Sequence, residues 1–206
     1  MSSFLQNILE YEKSPCPPWA CITIDNIFRK ALHNPYKLLG GYIKRGDTVM
    51  DIGPGKGFFT IPLAELVGPE GMVHAFDIQK EMLDGIMKRA EKHNLSDRIM
   101  VHLVKPEDTF YPVKADFALA FWMLHEVSDA NKTACQIFKM LRKNGLFFVA
   151  EPLVHVPETK YNVTEKIIIN SGFVIVCKPA VALSRATLFR KQSLSGKLWK
   201  KLFVNN

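Results

Sequence analysis

The sequence of 206 residues has few cysteines and no long apolar run. Its four cysteines, at irregular spacings, are too sparse for the disulfide framework of a small secreted domain. No stretch approaches the ~20 apolar residues that span a bilayer, and the first residues lack the basic start and apolar core of a secretory signal. We therefore expect a cytoplasmic protein without integral membrane association.

Acidic residues are absent from the last part of the chain. From Lys166 to Asn206 there are eight Lys or Arg residues and no Asp or Glu, whereas the first 165 residues carry 19 basic and 20 acidic side chains. The formal net charge of +7 therefore belongs to the C-terminus. A basic tail can contact nucleic acid or an anionic membrane, but a solvated surface is the commoner use of such charge. Nucleic-acid binding stays open and is not favoured.

The chain also lacks internal repeats and low-complexity segments. Short apolar runs alternate with segments of helical periodicity, which predicts an α/β fold around a mostly parallel sheet. The predicted strands are TVMDIG, GMVHAFDI, RIMVHLVK, ADFALAFW, GLFFVAE, GFVIVCK and RATLFRK. The predicted helices are FFTIPLAELVG, QKEMLDGIMKRAEKHN, DANKTACQIFKMLRKN and ETKYNVTEKIIINS. Because PAVALS is too short for a helical crossover, the last two strands should pair antiparallel.

Three glycines at alternate positions follow the first predicted strand. In VMDIGPGKGFFT, Gly53, Gly55 and Gly57 come soon after Asp51. A loop between the first strand and the next helix lies at the carboxyl edge of an open sheet, where such folds bind ligands, and glycine lets a ligand lie against the main chain. The dinucleotide fingerprint would need glycine at position 58, which is Phe58. The spacing is instead Asp-x-Gly-x-Gly-x-Gly.

With Asp77 closing the second strand, this spacing resembles motif I and the ribose-binding acid of class I S-adenosylmethionine-dependent methyltransferases. The resemblance spans roughly residues 40–191 and is closest to the ubiquinone/menaquinone-biosynthesis type and its small relatives. It is carried also by AFDIQKEMLD, ADFALAFWMLHEV and FKMLRKNGLFFVAEP, whereas RKNG and KPED depart from the usual pattern. It implies a Rossmann-like seven-stranded sheet, mostly parallel with an antiparallel last strand, and helices on both faces.

The resemblance implies S-adenosylmethionine as cofactor and S-adenosylhomocysteine as product. Asp51 would hold the ammonium end of the cofactor, while Gly53 and Gly55 would let the methionine moiety approach the backbone. Asp77 would accept both ribose hydroxyls, an arrangement that suits a carboxylate. The alternative interpretation of Asp77 is a helix N-cap.

The same resemblance implies further contacts to the nucleoside. Gln79 and Met82 would flank the ribose and adenine, unless Met82 is a core residue. Glu107 and Asp108 are the candidates for the adenine contact. The remaining predicted cofactor-binding residues are Gly57 and Trp122.

Candidates for acceptor chemistry follow the fourth and fifth strands. We expect His125, Glu126, Glu151 and His155 to lie around one cavity facing the cofactor's methyl group. A histidine there would serve as a general base, or the four side chains would bind a divalent metal, although we expect none. The alternative is that His125 caps the following helix or closes the pocket without proton transfer.

The sequence divides into an N-terminal lid of residues 1–40, a methyltransferase domain of residues 41–191 and a basic tail of residues 192–206 that is amphipathic if helical. In the family, the segment before the first strand commonly folds over the cofactor. Trp19 and Phe28 are therefore candidates to contact an apolar or planar acceptor, unless their segment simply packs on the sheet.

The favoured function is methyl transfer to a small molecule by in-line displacement, in a monomer or a homodimer. An RNA-directed methyltransferase would use the basic tail, but the chain has FWML where enzymes acting on base nitrogens have an Asn/Asp-Pro-Pro-Tyr-like motif. A thiol or arsenical methyltransferase is less favoured because Cys135 and Cys177, within a predicted helix and strand, should be buried. A non-catalytic cofactor-binding protein is a fourth class. The sequence does not choose the acceptor atom.

Overall fold

The computed structural model describes residues 32–105 and 112–192. The strands are β1 Thr48–Ile52, β2 Met72–Asp77, β3 Ile99–Leu103, β4 Ala115–Phe121, β5 Leu141–Pro152, β6 Phe173–Cys177 and β7 Ser184–Lys191. The helices are α1 Pro35–Leu39, α2 Thr60–Val67, α3 Lys80–Lys92, α4 Ala130–Met140 and α5 Glu158–Asn170. Trp19, Phe28, Glu107, Asp108 and all of the tail after Gln192 lie outside the described residues.

The strands form one sheet in the order β3-β2-β1-β4-β5-β7-β6. β1 pairs in parallel with both β2 and β4, whereas β7 lies antiparallel between β5 and β6. The predicted seven-stranded sheet with an antiparallel last strand is thus confirmed. The strand order reverses between β1 and β4, so a crevice for ligands is expected at the carboxyl ends of these two strands.

Helices pack on both faces of the sheet, as predicted. Because side chains alternate along a strand, Val49 and Met50 of β1 point to opposite faces. Val49 packs in a cluster with Leu63 of α2 and Ile86 of α3. Met50 belongs to a second cluster that includes Phe138 of α4 and residues of α5. The central strands are therefore buried on both sides, which explains their near-continuous apolar sequence.

One predicted boundary is wrong. The helical pattern was expected to run to Asn144, but α4 ends at Met140 and β5 begins at Leu141. Asn144 has a left-handed φ of 64°, and the pairing of β4 with β5 shifts register here. The Asn-Gly pair therefore marks an irregularity within the strand and not the end of the helix.

The expected burial of the cysteines is also wrong for one of them. Cys177 is exposed, because β6 is one of the two edge strands of the sheet, and Cys135 in α4 is half-buried. Both are free thiols. None of the helices in the described ranges is long and apolar enough to cross a membrane.

Candidate active site

The glycine loop follows β1 at the carboxyl edge of the sheet. Gly53 N donates to Phe76 O (2.9 Å), which extends the pairing of β1 with β2 into the loop. Gly53, Gly55 and Gly57 all have left-handed φ values, of 66°, 54° and 81°. A Cβ placed on Gly55 would meet no atom within 4 Å. The loop therefore presents bare backbone to open space at Gly55.

Asp51 lies in β1, just before this loop. Its side chain is only 2% exposed, and its Oδ2 accepts a hydrogen bond from Thr60 Oγ1 (2.7 Å) at the start of α2. The bond fixes the orientation of the carboxylate and joins the strand to the helix that follows the loop. Sequence analysis missed Thr60, because a threonine at a helix start has no distinctive signature.

Asp77 ends β2 beside the glycine loop. Burial, the largest cause, raises the pKa of Asp77 from its ordinary 3.8 to about 6, and the charge of Glu126 acts in the same direction. Backbone N–H groups of Gln79, Gly55 and Ile78 oppose this shift by stabilising the carboxylate. Gln79 N donates to Asp77 Oδ1 (2.9 Å) just before α3, but the N-cap residue of α3 is Gln79, so Asp77 is not the N-cap.

The start of α3 holds the two residues expected beside the nucleoside. Gln79 is half-buried and immediately precedes the helix. Met82 is 1% exposed, which favours its interpretation as a core residue.

Helix α3 also holds the glycine loop in place. Arg89 Nη1 donates to Lys56 O (2.8 Å), and a Cβ on Gly57 would come within 3.0 Å of Ile86 Cγ1. Gly57 therefore permits close packing between loop and helix. The contact of Arg89 joins residues 33 positions apart, and no local pattern of the sequence indicates it.

The loop after β4 lies over the glycine loop. A Cβ on Gly53 would be 2.8 Å from Met123 Cβ, so Met123 is the side chain that packs there. Trp122 has a left-handed φ of 61° and its Nε1 donates to Ser184 Oγ (2.8 Å) at the start of β7. The cofactor contact expected of Trp122 stays a prediction, and Met123 was missed.

His33 connects the N-terminal part of the chain to this edge of the sheet. It is 1% exposed, and its Nε2 donates to Ala182 O (2.7 Å) just before β7. Its ring packs edge-on against Phe121 and Trp122, with centroids 5.2 Å apart in each case. The described end of the N-terminal segment therefore lies against the ends of β4 and β7.

The four predicted His and Glu side chains lie together beside the β4 loop. Glu151, near the end of β5, accepts a hydrogen bond from Leu124 N (2.8 Å) on Oε1, and its Oε2 is 2.5 Å from His125 Nδ1. His125 Nε2 is 3.9 Å from Glu126 Oε1. The rings of His125 and His155 are nearly parallel, with centroids 6.5 Å apart.

Electrostatics connect this cluster to the glycine loop, because Glu126 is close enough to Asp77 to raise its pKa. The two groups of predicted residues therefore border one region of the carboxyl edge. Across residues 32–105 and 112–192, no three His, Cys, Asp or Glu side chains are arranged to hold a metal ion.

Comparison with known proteins identifies the family. The family described as a methyltransferase domain matches residues 43–203, which is most of the chain. The chain belongs to the class I S-adenosylmethionine-dependent methyltransferases. A crystal structure of such a methyltransferase from Aquifex aeolicus has the same fold, with a TM-score of 0.74 at 22% identity over 86% of this chain and 100% of that one.

Two curated relatives match this methyltransferase chain over segments of different length. Demethylmenaquinone methyltransferase of Lactobacillus johnsonii is 31% identical over 115 residues, covering 53% of this chain and 45% of that protein. Protein-L-isoaspartate O-methyltransferase of Ignicoccus hospitalis is 27% identical over 168 residues, which cover 81% of this chain and 73% of that protein. The chain thus spans about half the length of the menaquinone-type relatives it matches.

S-adenosylmethionine is the cofactor of this family, and the residues present fit it. The backbone at Gly55 is open to a ligand, because a Cβ there would meet no atom within 4 Å. The buried carboxyl groups of Asp51 and Asp77 flank that loop, and Glu126 lies near Asp77. Carboxylates complement a ligand that carries ammonium and sulfonium charges.

Proposed function

We propose that this chain transfers the methyl group of S-adenosylmethionine to a small-molecule acceptor by in-line displacement. The observation that carries the proposal is the open backbone at Gly55 beside the buried carboxyl group of Asp77. When bound, the cofactor supplies an activated methyl group, so the protein needs chiefly to orient the two reactants.

Each residue around the glycine loop has a proposed part in binding the cofactor. Asp51, oriented by Thr60, would bind the ammonium group, and Gly53 and Gly55 would leave room for the methionine moiety. Asp77 would accept the two ribose hydroxyls, as a carboxylate with two oxygens can. The role of Glu107 and Asp108 at the adenine stays a proposal for residues outside the described ranges.

The acceptor would bind beside His125, Glu126 and His155, at the edge of the sheet next to the glycine loop. The name of the Lactobacillus johnsonii relative, a demethylmenaquinone methyltransferase, supports a small acceptor. No contact among the described residues favours RNA. We propose residues 1–40 as the lid of the acceptor pocket, because His33 lies against the ends of β4 and β7. The free thiols of Cys135 and Cys177 suit a cytoplasmic setting.

Calorimetric titration with S-adenosylhomocysteine tests the cofactor site. Gly55→Ala should weaken binding at least tenfold, about 1.4 kcal/mol, because the new methyl group occupies the ligand's place. Gly46→Ala is a matched control, since Gly46 also has a left-handed φ, of 86°, with no atom within 4 Å of a Cβ, but lies at the opposite end of β1. Equal affinity of the two variants, or a preference for NAD, would contradict the proposal.

A further inference from the structure

Two histidines face each other on the neighbouring strands β2 and β3, and the proposed methyl transfer uses neither of them. His74 Nδ1 is 2.8 Å from His102 Nε2. The two rings are nearly parallel, at 22° with their centroids 5.1 Å apart, and the buried ring of Phe76 stacks on His102 at 4.4 Å and 13°. The pair therefore has a defined arrangement in which two imidazole nitrogens point at each other.

Met100 lies on the same face of the sheet as this pair. It is the register partner of His74 and comes two residues before His102 in the edge strand β3. Because register partners share a face and side chains alternate along a strand, all three side chains project from one face. Met100 is 48% exposed and neighbouring strands are only about 4.8 Å apart, so its flexible side chain can bring the sulfur to the two nitrogens.

At neutral pH the two rings are in the form that binds a metal. Burial, the largest cause, lowers the pKa of His74 from its ordinary 6.5 to about 4, and the neighbouring His102 acts in the same direction. Burial also lowers the pKa of His102. Two neutral rings share one N–H···N hydrogen bond, so metal binding requires only that the donating ring move its proton to its other nitrogen. No proton has to pass to solvent, and the pair carries no positive charge that would oppose a cation.

The separation of the two nitrogens is close to that of two ligands on one metal ion. Metal–nitrogen bonds of about 2.0–2.1 Å at a tetrahedral angle place the nitrogens about 3.3 Å apart. The observed 2.8 Å therefore has to increase by about 0.5 Å, which a small rotation of two half-buried rings provides.

The kinds of ligand present select the metal. A thioether is a soft ligand that favours copper(I), and imidazole also suits copper. Zn²⁺ sites use Cys, His or carboxylate ligands, but across residues 32–105 and 112–192 no Cys, Asp or Glu joins the two histidines in a three-ligand cluster. We propose that His74, His102 and Met100 bind one copper(I) ion at the β3 edge of the sheet. This site is independent of the methyl transfer proposed above.

Competition with the chromogenic chelator bicinchoninate, in the absence of oxygen, measures copper(I) binding. Thiolates also bind copper(I), so the measurement uses the full chain with Cys16→Ser, Cys21→Ser, Cys135→Ala and Cys177→Ser, here called the cysteine-free chain. One copper(I) ion should bind per chain, and Zn²⁺ should bind more weakly. Absence of copper(I) binding, or tighter binding of Zn²⁺, would overturn the proposal.

Single substitutions in the cysteine-free chain assign the ligands. His74→Asn and His102→Asn should each weaken copper(I) binding by about a hundredfold or more, because residues one step further from a metal already contribute about 10–100-fold to its affinity. Met100→Leu nearly conserves the volume of the side chain and removes the sulfur. It should weaken copper(I) binding by about tenfold or more and leave the affinity for Zn²⁺ unchanged.

Two further substitutions are matched controls. Met87→Leu changes a half-buried methionine of α3 that packs on the opposite face of the sheet, and His93→Gln changes an exposed histidine at the end of the same helix. Both variants should keep the copper(I) affinity of the cysteine-free chain. Equal losses in Met87→Leu and Met100→Leu, or an unchanged affinity in His74→Asn, would overturn the assignment of ligands.

X-ray absorption at the copper edge identifies the bound atoms directly. The first shell should contain two nitrogen atoms and one sulfur atom, and Met100→Leu should lose the sulfur. A shell without sulfur in the cysteine-free chain, or sulfur that remains in Met100→Leu, would contradict the thioether ligand and with it the choice of copper(I).

Should the cysteine-free chain fail to fold, NMR of the wild-type chain provides the same test. Ag⁺, a redox-inert substitute for copper(I), is added in excess over the four thiols to protein labelled with ¹³C in its methionine methyl groups and ¹⁵N in its histidine rings. The signals of Met100, His74 and His102, assigned with the variants above, should shift while that of Met87 does not. Unchanged signals of all three residues at saturating Ag⁺ would overturn the proposal.

Discussion

Asp77→Asn should stabilise the protein without ligand and weaken its binding of S-adenosylmethionine. The wild-type carboxyl group is 9% exposed, and its burial makes ionisation unfavourable. Asn has nearly the same shape and no charge, and its Oδ1 can still accept the hydrogen bond from Gln79 N. The Asn side chain cannot accept hydrogen bonds from both ribose hydroxyls, because its second terminal group is an NH₂ donor.

The expected size of the stabilisation follows from the pKa of Asp77, which is raised from 3.8 to about 6. A difference of about two units, at about 1.4 kcal/mol each, amounts to about 3 kcal/mol. The contribution of the protonated acid to stability is complete below pH 3.8 and is lost as the pH rises through about 6. The Asn amide can accept only some of the hydrogen bonds that backbone N–H groups donate to the Asp77 carboxylate. We therefore expect a net gain in the free energy of unfolding of about 1–2 kcal/mol at pH 7.5.

Scanning calorimetry without ligand measures this gain, which should raise the melting temperature by about 2–8 °C. The difference between variant and wild type should shrink as the pH is lowered from 7.5 to 4.5. Asp84→Asn is the control, because Asp84 lies nearby in α3 and forms an exposed pair with Lys80. Its neutralisation should change stability by less than about 0.5 kcal/mol.

Two results would refute this reasoning. If Asp77→Asn is no more stable than the wild type at pH 7.5, or if the difference is independent of pH, burial does not destabilise the ionised carboxyl group. If the variant binds S-adenosylhomocysteine as tightly as the wild type, Asp77 does not accept the ribose hydroxyls.

Three further predictions concern the supports of the site and the tail. Thr60→Val removes the donor to Asp51 and should cost about 1–3 kcal/mol, seen as a lower melting temperature together with weaker S-adenosylhomocysteine binding; an unchanged affinity would show that the bond does not orient the carboxylate. Arg89→Gln loses the hydrogen bond to Lys56 O and should weaken S-adenosylhomocysteine binding by more free energy than it removes from folding. An affinity equal to that of the wild type would contradict this prediction. Deletion of residues 192–206 should lower the melting temperature or change the oligomeric state in size-exclusion chromatography. Loss of RNA or liposome binding with stability intact would favour a nucleic-acid or membrane role.

The fold was predictable because its signals are local. Apolar runs and helical periodicity each extend over a single element, and the short PAVALS segment determines how the last strands pair. The boundary at Asn144 was not predictable in this way, because Asn-Gly stops a helix and also allows an irregularity in a strand. The exposure of Cys177 depends on which strand lies at the edge, and that is a property of the whole sheet.

The meeting of His125 and Glu151 was predictable from their places in the sheet. His125 follows β4 and Glu151 lies near the end of the neighbouring parallel strand β5, so the topology brings them together. The supports of the site were not predictable, because they join distant positions. His33 contacts Ala182 across 149 residues, and neither position has a distinctive pattern.

The strand order divides the proposed machinery between two parts of the chain. Asp51, the glycine loop and Asp77 all come from the segment β1 to α3, whereas His125, Glu151 and His155 come from the segment β4 to α5. The two parts meet where Met123 packs on Gly53 and where Glu126 acts on Asp77.

A change of acceptor during evolution can therefore be made by substitutions in the second part and in the proposed lid, while the segment β1 to α3 is inherited intact. Relatives with different acceptors should differ most outside that segment, and a chimaera that exchanges residues 1–40 and 122–160 should acquire the acceptor preference of its donor and keep its own affinity for the cofactor.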